Sequence, residues 1–517
     1  LDREFGDKIH QFGENSFRLY GLPEPQEGRV VGILGRNGIG KSTALKILSG
    51  QIKPNLGDPD ENPGWDQVME RYRGTQLQGH FKDLSNDNVD AAFKPQQVDK
   101  MPELYKGKVK DFLEEKDERN VLEEISTQLE IDQILDRDMS ELSGGELQRV
   151  AIAATLVRDA SMYVVDEPSS FLDVKQRLNM AEIISNMGDE REVLVVEHDL
   201  ATLDLISSTT HVFHGEPQGY GMVSNSFSTR QGINQYLDGY LQTHNLRIRD
   251  DSIKFDRTKR SQVENKAEVA KYPRFKKSFG DGEFSLDSDH GSIHEEEILG
   301  ILGENGVGKT TFAKMLAGGI EPDKGESPKK SISYKPQYLE AEDKTVEQAL
   351  KNHINPEEKR FKTRISEPLE LEELYDQNLK ELSGGELQRV GVAICLARDA
   401  DIYLLDEPSA YLDVESRVEL GKTLKRFARK TGKPLLVIDH DLLLMDYIAD
   451  RGIIFTGEPG NKGTATQPMK IEEAMNRFLK EMDLTFRKDP DTGRPRANKP
   501  GSQKDQQQRK RNEYYEQ

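Results

Sequence analysis

The feature that most constrains this chain is a duplicated segment. Residues 141–150 and residues 381–390 both read ELSGGELQRV, and four further segments of the first half return in the same order in the second. The four pairs are GILGRNGIGKST (32–43) with GILGENGVGKTT (300–311), FKPQQVD (93–99) with YKPQYLE (334–340), MYVVDEPSSFLDV (162–174) with IYLLDEPSAYLDV (402–414), and VLVVEHDL (193–200) with LLVIDHDL (435–442). The offset runs from 240 residues (381 − 141) to 268 residues (300 − 32), far longer than a solenoid repeat. The 517 residues are therefore predicted to form two copies of one large domain.

Short apolar runs in each copy alternate with longer amphipathic or charged segments. In the first copy these runs are VVGIL (30–34), MYVVD (162–166) and VLVVE (193–197). They are rich in β-branched residues and bounded by polar ones, which is typical of buried parallel strands. Strands of this kind that alternate with helical stretches indicate an α/β fold.

Each copy contains a glycine-rich loop of the form G-x-x-x-x-G-K-S/T between an apolar strand and a helical segment. Such a loop lets backbone N–H groups surround phosphates, and the helix N-terminus adds a positive dipole end. We expect Lys41 and Lys309 to reach the terminal phosphates, and Ser42 and Thr310 to bind Mg²⁺. The sequence therefore predicts two sites for ATP with Mg²⁺. Their loop residues are Gly35, Asn37, Gly38, Gly40, Lys41, Ser42 and Thr43 in the first copy, and Gly303, Asn305, Gly306, Gly308, Lys309, Thr310 and Thr311 in the second.

An Asp-Glu pair ends an apolar strand in both copies. Taken alone, such a pair is more often a solvated strand end, but a phosphate loop upstream favours a role in the site. Asp166 and Asp406 are expected to bind Mg²⁺, directly or through water. Glu167 and Glu407 are expected to polarise the attacking water as catalytic residues.

Two further polar positions recur near the phosphate loops. Gln96 and Gln337 lie in a loop after a strand-like run, and they are candidate ligands in the shell of Mg²⁺ and its water. His198 and His440 follow another apolar strand. A histidine there is usually structural, but in this setting we interpret both as catalytic residues that sense the γ-phosphate.

The repeated LSGGE segment looks like an anion-binding helix start. Ser143 and Ser383 are good N-cap residues, and the two glycines allow close approach of backbone to a ligand. A domain that owns a phosphate loop does not need a second one for the same nucleotide. We therefore expect each segment to close on the ATP held by the other copy, with the copies packed head to tail. The residues predicted to contact ATP are Ser143, Gly145 and Glu146, and Ser383, Gly385 and Glu386.

The order of phosphate loop, glutamine, LSGGE, Asp-Glu pair and histidine resembles that of ABC-type ATPases in both halves. The resemblance implies that the segment after the Asp-Glu pair contributes Asp173 and Asp413 to ATP binding. It also implies an adenine-stacking aromatic residue upstream of each loop. Phe12 and Phe279 match that position, although Phe17 or Tyr272 could serve instead.

The first copy carries an insertion that the second lacks. The phosphate loop and the glutamine are 61 residues apart in the first copy (96 − 35) and 34 apart in the second (337 − 303). The difference is 27 residues, and residues 60–81 predict a capped amphipathic helix with basic and aromatic residues. A decorated surface loop is the alternative interpretation.

Two segments are basic although the net charge of the chain is −20, from 72 basic and 92 acidic residues. That balance argues against a general nucleic-acid coat, but local basic patches remain possible. The connector 239–277 holds eleven Lys and Arg against five acids, and the C-terminal segment 485–517 holds nine against five. A charge run is usually a solvated tail, yet Thr492–Arg496 favours a specific turn. The predicted domains are 1–238, with the insertion, and 278–484, joined by a hinge at 239–277 and followed by a basic segment at 485–517.

Together these features resemble the E subfamily of ABC ATPases, the ribosome-recycling or RNase L inhibitor family. The resemblance implies that the insertion near 58–84 is a helix-loop-helix. The resemblance implies ATP-driven splitting of the ribosome after termination in archaea or eukaryotes, and continued binding to the small subunit. Its implied partners are ATP, ribosomal RNA and protein, and a termination or release factor. No membrane partner is implied, and we expect a cytoplasmic monomer with an internal pseudo-dimer.

Cysteine usage is a departure from that family, whose members begin with a domain of eight cysteines that holds two iron–sulphur clusters. This chain has one cysteine, Cys395, which we interpret as a small buried hydrophobe behind the second LSGGE helix. The first residue is Leu1 rather than Met, so we expect the missing domain to reflect truncation. Two alternatives remain: a twin-ATPase translation factor of the antibiotic-resistance type, and the ATPase subunit of a transporter.

Overall fold

The computed structural model describes residues 8–255, 266–280, 284–339 and 341–516. The chain divides into two compact units, Leu1–Lys254 and Phe255–Gln517. Within the described residues, no helix is both long enough and apolar enough to span a membrane.

The first unit is built on a nine-stranded sheet in the order β1-β2-β8-β7-β3-β6-β5-β4, with β9 paired to β7. Its strands are β1 (Lys8–Gln11), β2 (Arg18–Tyr20), β3 (Arg29–Leu34), β4 (Ala91–Lys94), β5 (Met162–Asp166), β6 (Glu192–Val196), β7 (Thr209–Glu216), β8 (Tyr220–Val223) and β9 (Phe227–Ser228). Five neighbouring strands of this sheet run parallel, namely β4, β5, β6, β3 and β7. The three apolar runs become β3, β5 and β6, so their prediction as buried parallel strands is confirmed.

Helices cover both faces of this sheet. They are α1 (Lys41–Leu48), α2 (Trp65–Arg71), α3 (Gln76–Ser85), α4 (Met101–Leu104), α5 (Val109–Lys116), α6 (Leu122–Gln128), α7 (Gly144–Leu156), α8 (Val174–Gly188), α9 (Leu200–Ile206) and α10 (Thr229–Asp238). Successive residues of β3 point to opposite faces, as expected of a strand. Val30 packs in the core beneath α7 and α8, and Val31 packs in the core beneath α1 to α3. A short ribbon of β10 (Tyr240–Leu241) and β11 (Leu246–Arg247) follows α10.

The second unit repeats this topology strand for strand, in the order β13-β14-β21-β20-β16-β19-β18-β17, with β22 on β20. Its strands are β12 (Glu268–Tyr272), β13 (Phe275–Phe279), β14 (Phe284–Ser288), β15 (Gly291–His294), β16 (Ile298–Gly303), β17 (Ile332–Lys335), β18 (Ile402–Asp406), β19 (Leu435–Ile438), β20 (Arg451–Glu458), β21 (Lys462–Ala465), β22 (Met469–Lys470), β23 (Phe486–Lys488) and β24 (Pro495–Ala497). Its helices are α11 (Lys309–Leu316), α12 (Val346–Lys351), α13 (Lys359–Phe361), α14 (Gly384–Ala397), α15 (Val414–Thr431), α16 (Leu442–Ile448), α17 (Ile471–Glu481) and α18 (Gln503–Lys510). The duplication read from the sequence is therefore a duplication of the fold.

The insertion of the first unit consists of α2 and α3, which lie between α1 and β4. Phe81 is fully buried, and the ring of Tyr72 lies 5.0 Å from it, so these aromatic residues belong to the core. Arg71 and Arg73 are exposed. The helix-loop-helix therefore presents its basic residues to solvent, whereas most of its aromatic surface is used in packing.

The two basic segments are folded to a greater extent than a solvated tail. Residues 266–277 of the connector contribute to β12 and β13 of the second unit, whereas Arg257, Lys259 and Arg260 lie outside the described residues. The C-terminal segment forms the β23–β24 hairpin and α18. Arg494 is 0% exposed, and Arg496 pairs with buried Asp489 at 3.3 Å. Part of the positive charge counted in the sequence is therefore buried or paired within the folded segment. The domain boundaries drawn from the sequence stay a prediction.

Candidate nucleotide sites

In each unit the phosphate loop joins a central strand of the sheet to the helix that follows it: β3 to α1 in the first unit, and β16 to α11 in the second. Gly40, the residue before α1, has φ 90°. A Cβ there would lie 2.5 Å from the ring of Phe17, so the position requires glycine. Lys41 Nζ donates to Gly35 O at 2.9 Å and to Arg36 O at 2.6 Å, which places the ammonium across the loop.

The second phosphate loop has the same construction. Gly308 has φ 94°, and Lys309 Nζ donates to Gly303 O at 2.9 Å and to Glu304 O at 2.5 Å. Both loops therefore hold a nearly buried ammonium group where a helix begins, and this is the environment expected for terminal phosphates.

A hydroxyl and a carboxylate meet beside each loop. Ser42 Oγ donates to Asp166 Oδ2 at 3.1 Å, and Thr310 Oγ1 donates to Asp406 Oδ2 at 2.9 Å. In the second unit the Tyr334 hydroxyl also donates to Asp406 Oδ2, at 3.3 Å. The structure thus brings each predicted hydroxyl next to its predicted carboxylate, and their binding of Mg²⁺ stays a prediction.

These residues fit a magnesium ion. Burial and the neighbouring Glu167 raise the pKa of Asp166, and burial and Glu407 raise that of Asp406, so each carboxylate lacks sufficient positive charge nearby. A divalent cation would supply it, and hydroxyl and carboxylate oxygens are the donors that Mg²⁺ prefers. Among the described residues, no cluster of three His, Cys, Asp or Glu forms a metal site.

The glutamate after each aspartate is held by the two other predicted polar residues. Glu167 Oε1 accepts from Gln96 Nε2 at 2.7 Å and lies 3.5 Å from His198 Nε2. In the second unit, Glu407 Oε1 accepts from Gln337 Nε2 at 2.8 Å and lies 3.5 Å from His440 Nε2. The residues that sequence reasoning grouped by motif therefore converge at one point in each unit.

The electrostatic environment keeps this glutamate ionised. Burial alone raises its pKa, but the contact with His198 and the nearby Lys41 and Gln96 outweigh it, and they lower the pKa of Glu167 to about 2. The pKa of Glu407 is lowered by the same kinds of contact. Each site thus presents a buried carboxylate that is charged at neutral pH and can polarise water.

One pair of residues in the site was not assigned from the sequence. Glu197 precedes His198, and its carboxylate accepts from Ser169 Oγ (2.8 Å), from Ser169 N (3.2 Å), and from the backbone N of His198 (2.7 Å) and of Asp199 (2.8 Å). Its counterpart in the second unit is Asp439, which accepts from Ser409 Oγ, Ser409 N and Asp441 N. The acid before each histidine was visible in the repeated EHD and DHD segments, but its partners were not.

The LSGGE residues form helix caps. Ser143 is the N-cap of α7, and Glu146 Oε2 accepts from Ser143 N and Ser143 Oγ, each at 2.8 Å. Ser383 and Glu386 make the same capping box at α14, with distances of 2.8 and 2.6 Å. The N-cap prediction is confirmed. Contact of these residues with ATP stays a prediction, as it does for Gly145 and Gly385.

The aspartates of the following segment also begin helices. Asp173 is the N-cap of α8 and accepts from Gln176 N at 2.9 Å, and Asp413 is the N-cap of α15 and accepts from Ser416 N at 2.8 Å. Both are buried. Their contact with ATP therefore also stays a prediction.

The aromatic candidates differ sharply in exposure. Phe12 is 54% exposed after β1, and Phe279 is partly exposed at the end of β13. Phe17 covers the loop glycine, and Phe284 does the same in the second unit. Tyr272 is only 2% exposed and packs against the ring of Phe312 at 5.4 Å, so it cannot stack on a ligand, and that alternative is wrong.

The fold and these two sites define a chain with two ATPase modules of the ABC type. Residues 24–170 and 286–410 match the ABC transporter family. The chain is 50% identical to an uncharacterized ABC transporter ATP-binding protein of Methanocaldococcus jannaschii, over 98% of the chain and 85% of that protein. It is 44% identical to the ABC transporter E family member 1 of Arabidopsis thaliana, over 98% and 86%.

Solved structures agree with these relatives. The archaeal ribosome recycling factor aABCE1, crystallised with the archaeal ribosomal stalk protein aP1, superposes with a TM-score of 0.91 at 49% identity, over 98% of this chain and 99% of that one. A model of ribosome-bound archaeal Pelota and ABCE1 superposes with a TM-score of 0.95 at 48% identity, over 99% and 86%. The chain belongs to the E family of ABC-type ATPases.

Proposed function

We propose that this chain is a ribosome-recycling ATPase, which couples ATP binding and hydrolysis to splitting of the ribosome after termination and then stays on the small subunit. The observation that carries the proposal is the match, over 99% of the chain, to a protein described as ribosome-bound. The match includes both nucleotide sites, so the machinery that would drive the motion is present here twice.

The reaction proposed at each site is hydrolysis of ATP to ADP and phosphate. The ammonium of Lys41 attracts the terminal phosphates, and the ionised carboxylate of Glu167 orients and polarises the attacking water. Gln96 donates to this carboxylate at 2.7 Å and fixes its direction. Ser42 and Asp166 would hold Mg²⁺, which neutralises phosphate charge when bound. The second unit offers the same set of groups.

The two sites are proposed to be completed in trans. Ser143 and Ser383 start helices whose N-termini have no lysine of their own, and each would contact the γ-phosphate of the nucleotide bound by the other unit. Closure on two nucleotides is then a population shift driven by contacts that exist only in the closed state. Such a closure is the motion that would be transmitted to a ribosome.

The proposed partners are ribosomal RNA and protein of the small subunit, together with a termination or release factor. The exposed Arg71 at the end of α2 and Arg73 in the turn before α3 support phosphate contacts from a chain whose net charge is −20. The relatives' match to the chain supports cytoplasmic action. Iron–sulphur clusters do not fit the residues present, because the sequence has Cys395 as its single cysteine.

Sedimentation tests the proposal against its alternatives. The purified chain is mixed with archaeal ribosomal subunits and a non-hydrolysable ATP analogue, and the gradient fractions are probed for the chain. We expect co-sedimentation with the small subunit that depends on the analogue and is lost in the Lys41→Ala, Lys309→Ala variant. Absence of binding with bound nucleotide would contradict ribosome recycling and favour the transporter-subunit alternative.

A further inference from the structure

Two buried lysines lie beside the Asp-Glu pairs. Lys94 is the last residue of β4, and Lys335 is the last residue of β17. They are 0% and 1% exposed. In the sequence they are simply part of the repeated KPQ segment, two residues before the glutamine of the site. The parallel pairing of β4 with β5, and of β17 with β18, brings them to the strand ends that carry the carboxylates.

Each ammonium group donates to the backbone carbonyl of the aspartate in the neighbouring Asp-Glu turn, and its second acceptor differs between the units. Lys94 Nζ lies 2.8 Å from Asp166 O and 3.3 Å from Glu167 O. Lys335 Nζ lies 2.9 Å from Asp406 O and 3.1 Å from Pro336 O. The lysines thus bind the backbone of the turn, whereas the glutamate side chains contact the glutamine and the histidine of the site.

The turn that they hold has an unfavourable backbone conformation. Glu167 has φ 48° and Glu407 has φ 46°, in the left-handed region that non-glycine residues seldom occupy. Such a conformation persists only where its surroundings impose it. In the first unit, Lys94 donates to the carbonyls on both sides of the Glu167 Cα, and Gln148 of α7 donates to Glu167 O at 2.8 Å.

A buried ammonium is a costly way to fill space. It loses its hydration on folding, and a methionine would fill the same volume without that cost. Its charge is offset by Asp166, Glu167 and Glu197 nearby. Because both copies bury a lysine ammonium at the same point in spite of this cost, the ammonium group does more than fill space.

We propose that Lys94 and Lys335 are positioning residues for ATP hydrolysis, which hold the strained turn so that Glu167 and Glu407 are aimed at the attacking water. This inference rests on the proposed ATPase reaction, although not on its coupling to the ribosome. Loss of the ammonium lets the turn relax and displaces the carboxylate, and a displacement of about 1 Å costs on the order of 10²-fold in rate.

Each lysine is tested with the other site silent. Lys94→Met is made in a Glu407→Gln background, and Lys335→Met in a Glu167→Gln background. We expect kcat to fall about 10²-fold, while the dissociation constant of a fluorescent ATP analogue changes by less than about threefold, because the phosphate loop is untouched. The matched control Lys110→Met, at an exposed lysine of α5, is expected to leave both quantities unchanged.

A second measurement separates positioning from general support of the fold. When Lys94→Met and Lys335→Met are added to the Glu167→Gln, Glu407→Gln variant, residual turnover should not fall further, because the lysines act through the glutamates. Multiplicative losses would overturn the proposal, and so would unchanged kcat or parallel losses of kcat and ATP binding. Lys94→Gln, which keeps a donor without the charge, is expected to lose less activity and replaces Lys94→Met if that variant does not fold. An inactive wild type would instead refute the proposed ATPase reaction, and an active one that fails to split ribosomes would refute only recycling.

Discussion

Removal of the carboxylate charge at position 167 is the most direct test of the site. In the unaltered chain, Gln96 Nε2 donates to the Glu167 carboxylate at 2.7 Å. Glu167→Gln keeps the shape of the side chain, so its amide oxygen can still accept this hydrogen bond. What disappears is the negative charge held 3.5 Å from His198 Nε2. Lys41 and its loop carbonyls are unaffected, so ATP binding should persist.

The expected loss follows from the role assigned to this group. A positioned base contributes about 10²–10⁴-fold, which is ~2.7–5.4 kcal/mol of activation free energy at ~1.36 kcal/mol for each factor of ten. Glu167→Gln alone should lower turnover less than the double variant does, since Glu407 is still present at the other site. The double variant Glu167→Gln, Glu407→Gln should lose the full ~10²–10⁴-fold.

The assay is phosphate release at saturating Mg·ATP, with ATP affinity measured separately on the same preparations. Glu190→Gln, at an exposed residue after α8, is the matched control and should behave as wild type. Full activity in the double variant would refute the assignment of both glutamates. Loss of ATP binding in step with turnover would show that the charge supports the ground state instead.

Three further predictions concern α7 and α14. Ser143→Arg should impair hydrolysis of the nucleotide held by Lys309, and Ser383→Arg that of the nucleotide held by Lys41, each measured with the other site inactivated; an effect confined to the altered unit's own nucleotide would contradict head-to-tail packing. Cys395 is buried and burial raises its pKa to about 11, so it should resist thiol reagents at pH 8 until denaturant is added. Because folding raises the pKa of Cys395 from 9.0 to about 11, its contribution to stability is present below pH 9 and is lost as pH rises towards 11. Between these pH values, the free energy of unfolding of a Cys395→Ala variant should therefore fall less than that of the wild type.

The parts of this protein that sequence alone determined are those governed by local chemistry. The phosphate loops need glycine at Gly40 and Gly308, where φ is 90° and 94°, and a lysine and a hydroxyl directly after. Capping by Ser143 and Ser383 depends on a residue three positions away. Buried parallel strands follow from continuous apolar runs. In each case the interacting groups are neighbours in the chain, so the pattern carries the information.

Tertiary structure decided which distant residues meet and which side chains remain exposed. Lys94 reaches Asp166 O across 72 positions, and Glu197 reaches Ser169 across 28, through strand pairing that no local pattern specifies. Tyr272 was an alternative candidate for the stacking ring, and Arg494 was counted in the basic C-terminal segment, but packing of the surrounding elements buries both. Periodicity reports the face of one element, whereas burial and pairing depend on what the other elements place against that face. For that reason the residues proposed to bind phosphate could be recognised in the sequence, whereas Lys94, which binds the backbone of the Asp-Glu turn, and Glu197, which binds Ser169, could not.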